Sequence, residues 1–539
     1  MTVIDNPAAI IEKLSISEPP SVESENLVLH ETVADVSTFS RILAIYTRHP
    51  DTMEIYCIEE KKGCDFVNNW NYVKDTLVAQ NGKHTGQGGK IQEYLVAAGD
   101  SKIFKDTLSS ELKICEYQKA GETQIRGCIV KVEVTTAFND WFIYHVLDQA
   151  RLRHHETPFK VTESANGPKY HEAFADFFSA NLKNTIRDDE WDSCGRDYFI
   201  ERVRYFTDRF IRIECILPAF PCKSSNINKV GGTVPDKGEE LALRRLIKIT
   251  QDAKAIYPPG VKIWIVSDGH VFSDCIGVDD DVVDQYTNQL HGMYEKCQVE
   301  DADAIGFCGL NELFFEGNSS TSFDPAWVED VSVLHYTGTN ISSVSDTSRQ
   351  ILMKGCDTDD GSLRKEVNIP NHPRLHLYRG FSRFMMEDLA LLPFFESYSR
   401  KKFKKVVSKI AFNMIRRNDA YSNLVELMFP HHMRISIHAH KNSGPKFGVK
   451  VIAQDQCSIV KDLNDIEEPT FEDLLHIPTP WHNCVVKVVS NNDTNKEQYY
   501  LTKSSVIKDA LKEGTYKGEW KETCFNAGRG GHFEIQKQM

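Results

Sequence analysis

IWIVSDGHVFSDCIGVDDDVVDQY, residues 263 to 286, holds a strand, a loop and the start of a helix in that order. Ile263 to Val266 form an unbroken apolar run, which suits a strand buried on both faces, as in a parallel sheet. Ser267, Asp268 and Gly269 end that run. Asp279, Asp280 and Asp281 then precede a helix, and negative charge is favourable beside the positive end of a helix dipole. Val282, Val283, Tyr286, Leu290, Met293 and Tyr294 recur at helical spacing and mark its buried stripe.

The alternation continues outward on both sides. AIGFCG at 304 to 309 reads as the next strand, and IRIECIL at 211 to 217 as the preceding one. Between them Pro235, Asp236 and Glu239 make a helix start in which Asp caps and Glu reaches back. Leu243, Leu246, Ile247 and Ala253 continue that helix's stripe, and Phe174, Phe177, Phe178 and Leu182 share one face of an earlier helix over 170 to 185. Strand, helix, strand, helix, strand is the order of an α/β fold, so a Rossmann-like sheet with parallel strands is expected. Downstream, the spacing predicts a basic helix over 400 to 416 with Phe403, Val406, Val407, Ile410 and Met414 inward. RISIHAH at 434 to 440 and FGVKV, separated by KNSGPK, read as a hairpin, and NCVVKVV with QYYLT as a second, giving a covering α+β subdomain.

At 539 residues the chain exceeds what one hydrophobic core usually serves. The expected division is a disordered acidic leader at 1–38, an accessory region at 39–135, a Rossmann-like catalytic core at 136–330, and the rest of the catalytic unit, with lid helices and hairpins, at 331–539. A formal charge of -14 argues against nucleic-acid or anionic-membrane binding, which needs a positive field. The first residues lack the basic start and apolar block of a signal peptide. No stretch approaches the roughly 18 apolar residues that span a bilayer. A cytoplasmic protein is the expectation. The 14 cysteines include no CxxC pair and fit reduced core residues better than disulfides or zinc ligands.

Ligands of open α/β sheets lie beyond the carboxyl ends of strands, which selects two loops. In the first, after IRIECIL, Lys223 and Lys229 near Gly231 and Gly232 suit a phosphate or carboxylate, and the helix starting near Asp236 adds a positive dipole end. Solvated loop charges and a simple turn account for the same residues. In the second, Asp268 and Asp274 stand where a carboxyl group can be desolvated and moved toward a working pKa; an Asp-Gly turn and a helix cap account for them equally well. His438 and His440 share a strand face with Arg434 and Ser436. With no HxD or HxE partner they fit a polar pocket wall or a solvated face rather than a metal site.

LPAFPCKSSN, GGTVPDKGEELAL, the 263–286 segment, RGFSRFMMEDL, RISIHAHKNSGPKFGVK and PTPWHNCVV resemble, in order and spacing, signature blocks of the pyoverdine/dityrosine biosynthesis family of isocyanide synthases, in its dityrosine branch. The resemblance covers roughly 200 to 490. It implies a Rossmann-like core and a reaction joining the α-amine of tyrosine or tryptophan to the C2 ketone of ribulose 5-phosphate as co-substrate, with no cofactor. The sugar then fragments, leaving one carbon on nitrogen. On that template Lys223, Lys229, Arg383 and Lys446 become anion holders, with Ser224 and Asn226 as further substrate contacts. Asp268, Asp274 and Glu239 become acid/base or ammonium-binding groups, and His438 and His482 proton-transfer groups.

The function implied is modification of the amine of L-tyrosine, to an isonitrile or N-formyltyrosine, as an early step of dityrosine formation for the spore wall. A cytochrome P450 coupling formyltyrosine is the implied pathway partner. Two other readings fit the same blocks: a folate-dependent tyrosine N-formyltransferase, and a scaffold that keeps the fold without catalysis.

Overall fold

The computed structural model describes the backbone of six strands within 27–133 and then residues 169–538, apart from 209, 298–302, 315–330, 355, 357, 430–431, 454, 467–477 and 490–497. The first strands are β1 (Leu27–Leu29), β2 (Ile42–Arg48), β3 (Thr52–Glu59), β4 (Ile91–Val96), β5 (Leu112–Tyr117) and β6 (Ile125–Glu133). They form one antiparallel sheet in the order β1-β5-β6-β3-β2-β4. The disordered leader expected over 1–38 lies, except for β1, outside the described residues.

The alternation read outward from Ile263 is an α/β unit. Its strands are β7 (Ile213–Pro218), β8 (Val261–Ser267), β9 (Ile305–Gly309), β10 (Met433–Ser436) and β11 (Phe447–Gly448), all parallel, in the order β11-β10-β7-β8-β9. Around them lie α1 (Tyr170–Asn181), α2 (Arg196–Thr207), α3 (Lys237–Ile256), α4 (Gly269–Ile276), α5 (Asp280–Lys296), α6 (Ser343–Lys354), α7 (Pro373–Asp388) and α8 (Arg400–Met428). Phe174, Phe178, Leu246, Val283, Tyr286 and Leu290, all from the expected stripes, are buried in one continuous core.

Helix α3 starts where the sequence places it. Asp236 accepts from Gly238 N, and Glu239 reaches back to Asp236 N, so two backbone donors that a helix start leaves orphaned are satisfied. Helix α8 continues well beyond the expected 416, through an arginine at position 417 that occupies the buried stripe between Met414 and Tyr421.

One expectation is overturned. The runs at 434–440 and 447–451 are not a hairpin: β10 pairs in parallel with both β7 and β11, with Ile435 opposite Phe447. The intervening 437–446 segment runs out and returns instead of turning tightly. Asn442 fixes the return by accepting from Gly448 N and donating to Asn184 O and Asp189. The second hairpin is present: β13 (Cys484–Val488) pairs antiparallel with β14 (Tyr499–Thr502). With β12 (Cys457–Ile459), β15 (Tyr516–Lys521) and β16 (His532–Lys537) they make a mixed sheet, β12-β14-β13-β16-β15, covered by α9 (Ser504–Lys512).

Candidate active site

The chain passes from β7 to β8 and β9 on one side, and later adds β10 and β11 on the other. The strand order therefore reverses between β7 and β10. At such a switch point the loops leaving neighbouring strands diverge and open a crevice beyond their carboxyl ends. Here those loops are 219–236, following β7, and 437–446, following β10; Asp268 follows β8 beside them.

Asp268 is half-buried, and its carboxylate meets no other side chain by hydrogen bond or ion pair among the described residues. Burial pushes its carboxyl up to about 6, which a bond from its own backbone only partly offsets. Gly269 is fixed by close approach: a Cβ there would lie 2.4 Å from Pro221 O and 2.7 Å from Val283 Cγ1. Helix α4 is thus seated directly on the loop after β7. That loop is itself constrained, since Phe220 is held at φ 56 and packs on Trp481 at 4.9 Å.

Across from Asp268 the β10 side is cationic. Arg434 Nη2 and Lys446 Nζ both donate to Ser422 Oγ on α8, at 3.0 and 3.3 Å. The adjoining Tyr421 hydroxyl donates to Val266 O, and burial, then the charge of Asp268, raises its pKa well above the usual range. His438 is exposed, while burial, then His438 and Lys446, push the imidazole of half-buried His440 down to about 4. A carboxyl group facing cations across a crevice can meet an amine and an acidic group of one ligand.

The other expected residues are distributed among three further clusters. Lys223 and Glu239 are enclosed: Lys223 Nζ lies 2.7 Å from Asp236 and 2.8 Å from Glu239 and donates to Pro480 O, while Tyr286 donates to Glu239. The ammonium is held above its usual pKa by those carboxylates against burial. It therefore ties the β7 loop to α3 and to the 480–482 turn rather than facing the crevice. Asp274 is equally enclosed. Arg417 grips it through both terminal nitrogens, Nη1 and Nη2, while Arg349 Nε lies 3.5 Å away and His335 Nδ1 2.7 Å away. These partners hold its carboxyl far below the usual range despite burial, so it stays ionised and clamps α4 to α6 and α8.

The third cluster joins the β7 loop to the end of α7. Lys229 pairs tightly with Asp388 and, at 3.2 Å, with Glu387. Ser224 Oγ donates to Asp388 and Asn226 Nδ2 to Glu387 O. Arg383 is exposed, with Nε 3.5 Å from Glu387. The ring of His482 stands edge-on to Phe384 at 4.9 Å. Cys222, buried in the same loop, is influenced by the charges of both Asp268 and Asp388, which places this cluster beside the crevice.

Arg417, Arg349, His335, Ser422 and Lys503 were not singled out from sequence. A signal existed for Arg417, an arginine on the apolar stripe of a helix, once the helix is carried past 416. Arg349 and His335 had none, because their partner Asp274 is distant in sequence.

The fold and crevice define an open α/β protein with charged side chains gathered at its switch point. The chain belongs to the pyoverdine/dityrosine biosynthesis protein family, whose model matches residues 203–514. It is 60% identical over 97% of both chains to the spore wall maturation protein DIT1 of Saccharomyces cerevisiae. An L-tyrosine isonitrile synthase of Xenorhabdus nematophila is 33% identical over 58% of this chain and 76% of its own. The crystal structure of PvcA from Pseudomonas aeruginosa superposes with a TM-score of 0.50 at 26% identity, covering 68% of this chain and 99% of that one.

Proposed function

We propose that the protein is an isocyanide-synthase-like enzyme acting on the α-amine of L-tyrosine, releasing an isonitrile or N-formyltyrosine as an early step of dityrosine formation for the spore wall. Asp268 carries this reading: a carboxyl group without a side-chain partner, raised to about 6, at the switch-point crevice and across from cations. Near neutral pH such a group is ionised, so it attracts an ammonium ion and can accept a proton from it. With ribulose 5-phosphate as co-substrate, the freed amine attacks the C2 ketone, water leaves as the imine forms, and a further proton transfer enolises the sugar. The relatives named for isonitrile synthesis from L-tyrosine, and the 60% identical spore wall maturation protein, support the substrate and the biological setting. The pathway partner would be a cytochrome P450 that couples formyltyrosine, and the reaction would take place in the cytoplasm.

The test is incubation of the protein with L-tyrosine and ribulose 5-phosphate labelled at C2. Label in a tyrosine isonitrile or formyltyrosine supports the reading. Formylation only from a formyl-folate donor would replace it with a transferase, and inertness toward both would leave a scaffold.

A further inference from the structure

Lys503 stands at the junction of β14 and α9, with its side chain half-buried against the 480–482 turn. Its ammonium donates to the carbonyl of His482 at 2.8 Å. No carboxylate among the described residues lies within ion-pair distance of it. Lysine has three donors and this bond uses one of them. The neighbouring charge is unfavourable: burial first, then Lys229, push Lys503 down to about 8, with only a partial counter-effect from Asp388 and Glu387. Lys229, unlike Lys503, has both of those acids in direct contact. Arg383 adds a largely exposed guanidinium at the rim, 72% accessible. Three cations therefore stand around two carboxylates, and Lys503, the one lacking a carboxylate partner among the described residues, has donors to spare.

A half-buried ammonium kept close to a second ammonium is costly unless an anion joins it. We infer that Lys503, with Lys229 and Arg383, forms a subsite for a phosphate monoester, the phosphate end of the sugar co-substrate. The identity of that co-substrate rests on the proposed function, whereas the anion site does not. The location is consistent with one ligand reaching both places, because Cys222 of the β7 loop feels the charges of both Asp268 and Asp388. The amides at the start of α9 are occupied: Ser504 N donates to Lys229 O and Ser505 N to Asn228 O. The lysine side chains must therefore supply the contact.

Titration calorimetry of the full chain tests this with inorganic phosphate, ribulose 5-phosphate and unphosphorylated ribulose. The inference expects Lys503→Met to weaken ribulose 5-phosphate by roughly tenfold or more, the loss of about one charge-assisted contact. Inorganic phosphate should weaken in parallel, ribulose and L-tyrosine should not change, and Lys503→Arg should restore most of the affinity. Unchanged affinity for both phosphates in Lys503→Met would overturn the subsite. Inorganic phosphate binding that needs Lys503, in a protein inert toward ribulose 5-phosphate and tyrosine, would keep the subsite and reject the proposed reaction.

Discussion

Carboxylates that look alike in sequence have opposite electrostatics in the folded chain. Asp268 has burial without a partner and is raised; Asp274 has burial with two arginines and a histidine and is lowered. If Asp268 is the base, log kcat/KM should rise with pH through an apparent pKa near 6. Asp268→Asn should remove that limb and slow turnover by roughly 10²–10⁴-fold. The stability effect has the opposite sign. Folding raises this pKa, so the native state holds the proton more tightly, and stability should fall as pH climbs from 3.8 toward about 6. Urea melts of the wild type against Asp268→Asn across that window would show the fall in the former only. Asp274→Asn and Lys223→Met should act on the fold instead, because each strands buried opposite charges. Breaking such a pair costs on the order of 3–5 kcal/mol, measurable as a lower urea midpoint. His335, raised chiefly by its bond to Asp274, adds stability below its ordinary 6.5 that is lost as pH rises past its folded value. The thermal midpoint should therefore drop between mildly acidic and mildly alkaline pH, and drop less in His335→Gln.

At the scale of elements, local physics was legible and long-range pairing was not. The α3 cap could be read because Asp236 and Glu239 satisfy donors within one turn of themselves. That both acids would also enclose Lys223 could not, since it depends on the 480–482 turn supplying Pro480 O from far along the chain. The β10 and β11 runs look like hairpin arms because alternation is the same for parallel and antiparallel neighbours. Only the ten-residue return held by Asn442 distinguishes them. Gly269 was read as a turn residue, yet its role is contact, with Pro221 O and Val283 pressed on its missing Cβ. Gly269→Ala should push α4 off the β7 loop, cost about 1–3 kcal/mol by overpacking, and misplace Asp268, lowering kcat more than thermal stability alone would predict. Kinetics at a temperature well below the melting midpoint would separate the two effects.

Over the whole molecule, the site draws on distant stretches of chain: β7 and its loop, α4, the end of α7, α8, β10, the 480–482 turn and Lys503. The boundary expected at 330 runs through this unit, because β10 and β11 complete a sheet begun by β7. The family match ends at 514, but the unit extends further. Gly530 N donates to Glu240, Lys237 N donates to Gly531 O, and Thr523 Oγ1 donates to Pro235 O, so residues 523–531 press on the start of α3. A fragment limited to 203–514 also lacks β16, the neighbour of β13. It should lose its cooperative calorimetric transition, whereas the full chain should show one for this unit.

That tie has a consequence for biogenesis. A ribosome emits β7 long before β10, and at roughly 5–20 residues per second the delay between them is on the order of tens of seconds. Through that interval β7 has one edge of its ladder open, and Glu240 and the Lys237 amide at the start of α3 wait for Gly530 and Gly531 to be translated. The nascent chain thus keeps an open strand edge, the kind of surface that chaperones cover, and substrate cannot close it early, because the crevice is still one wall short.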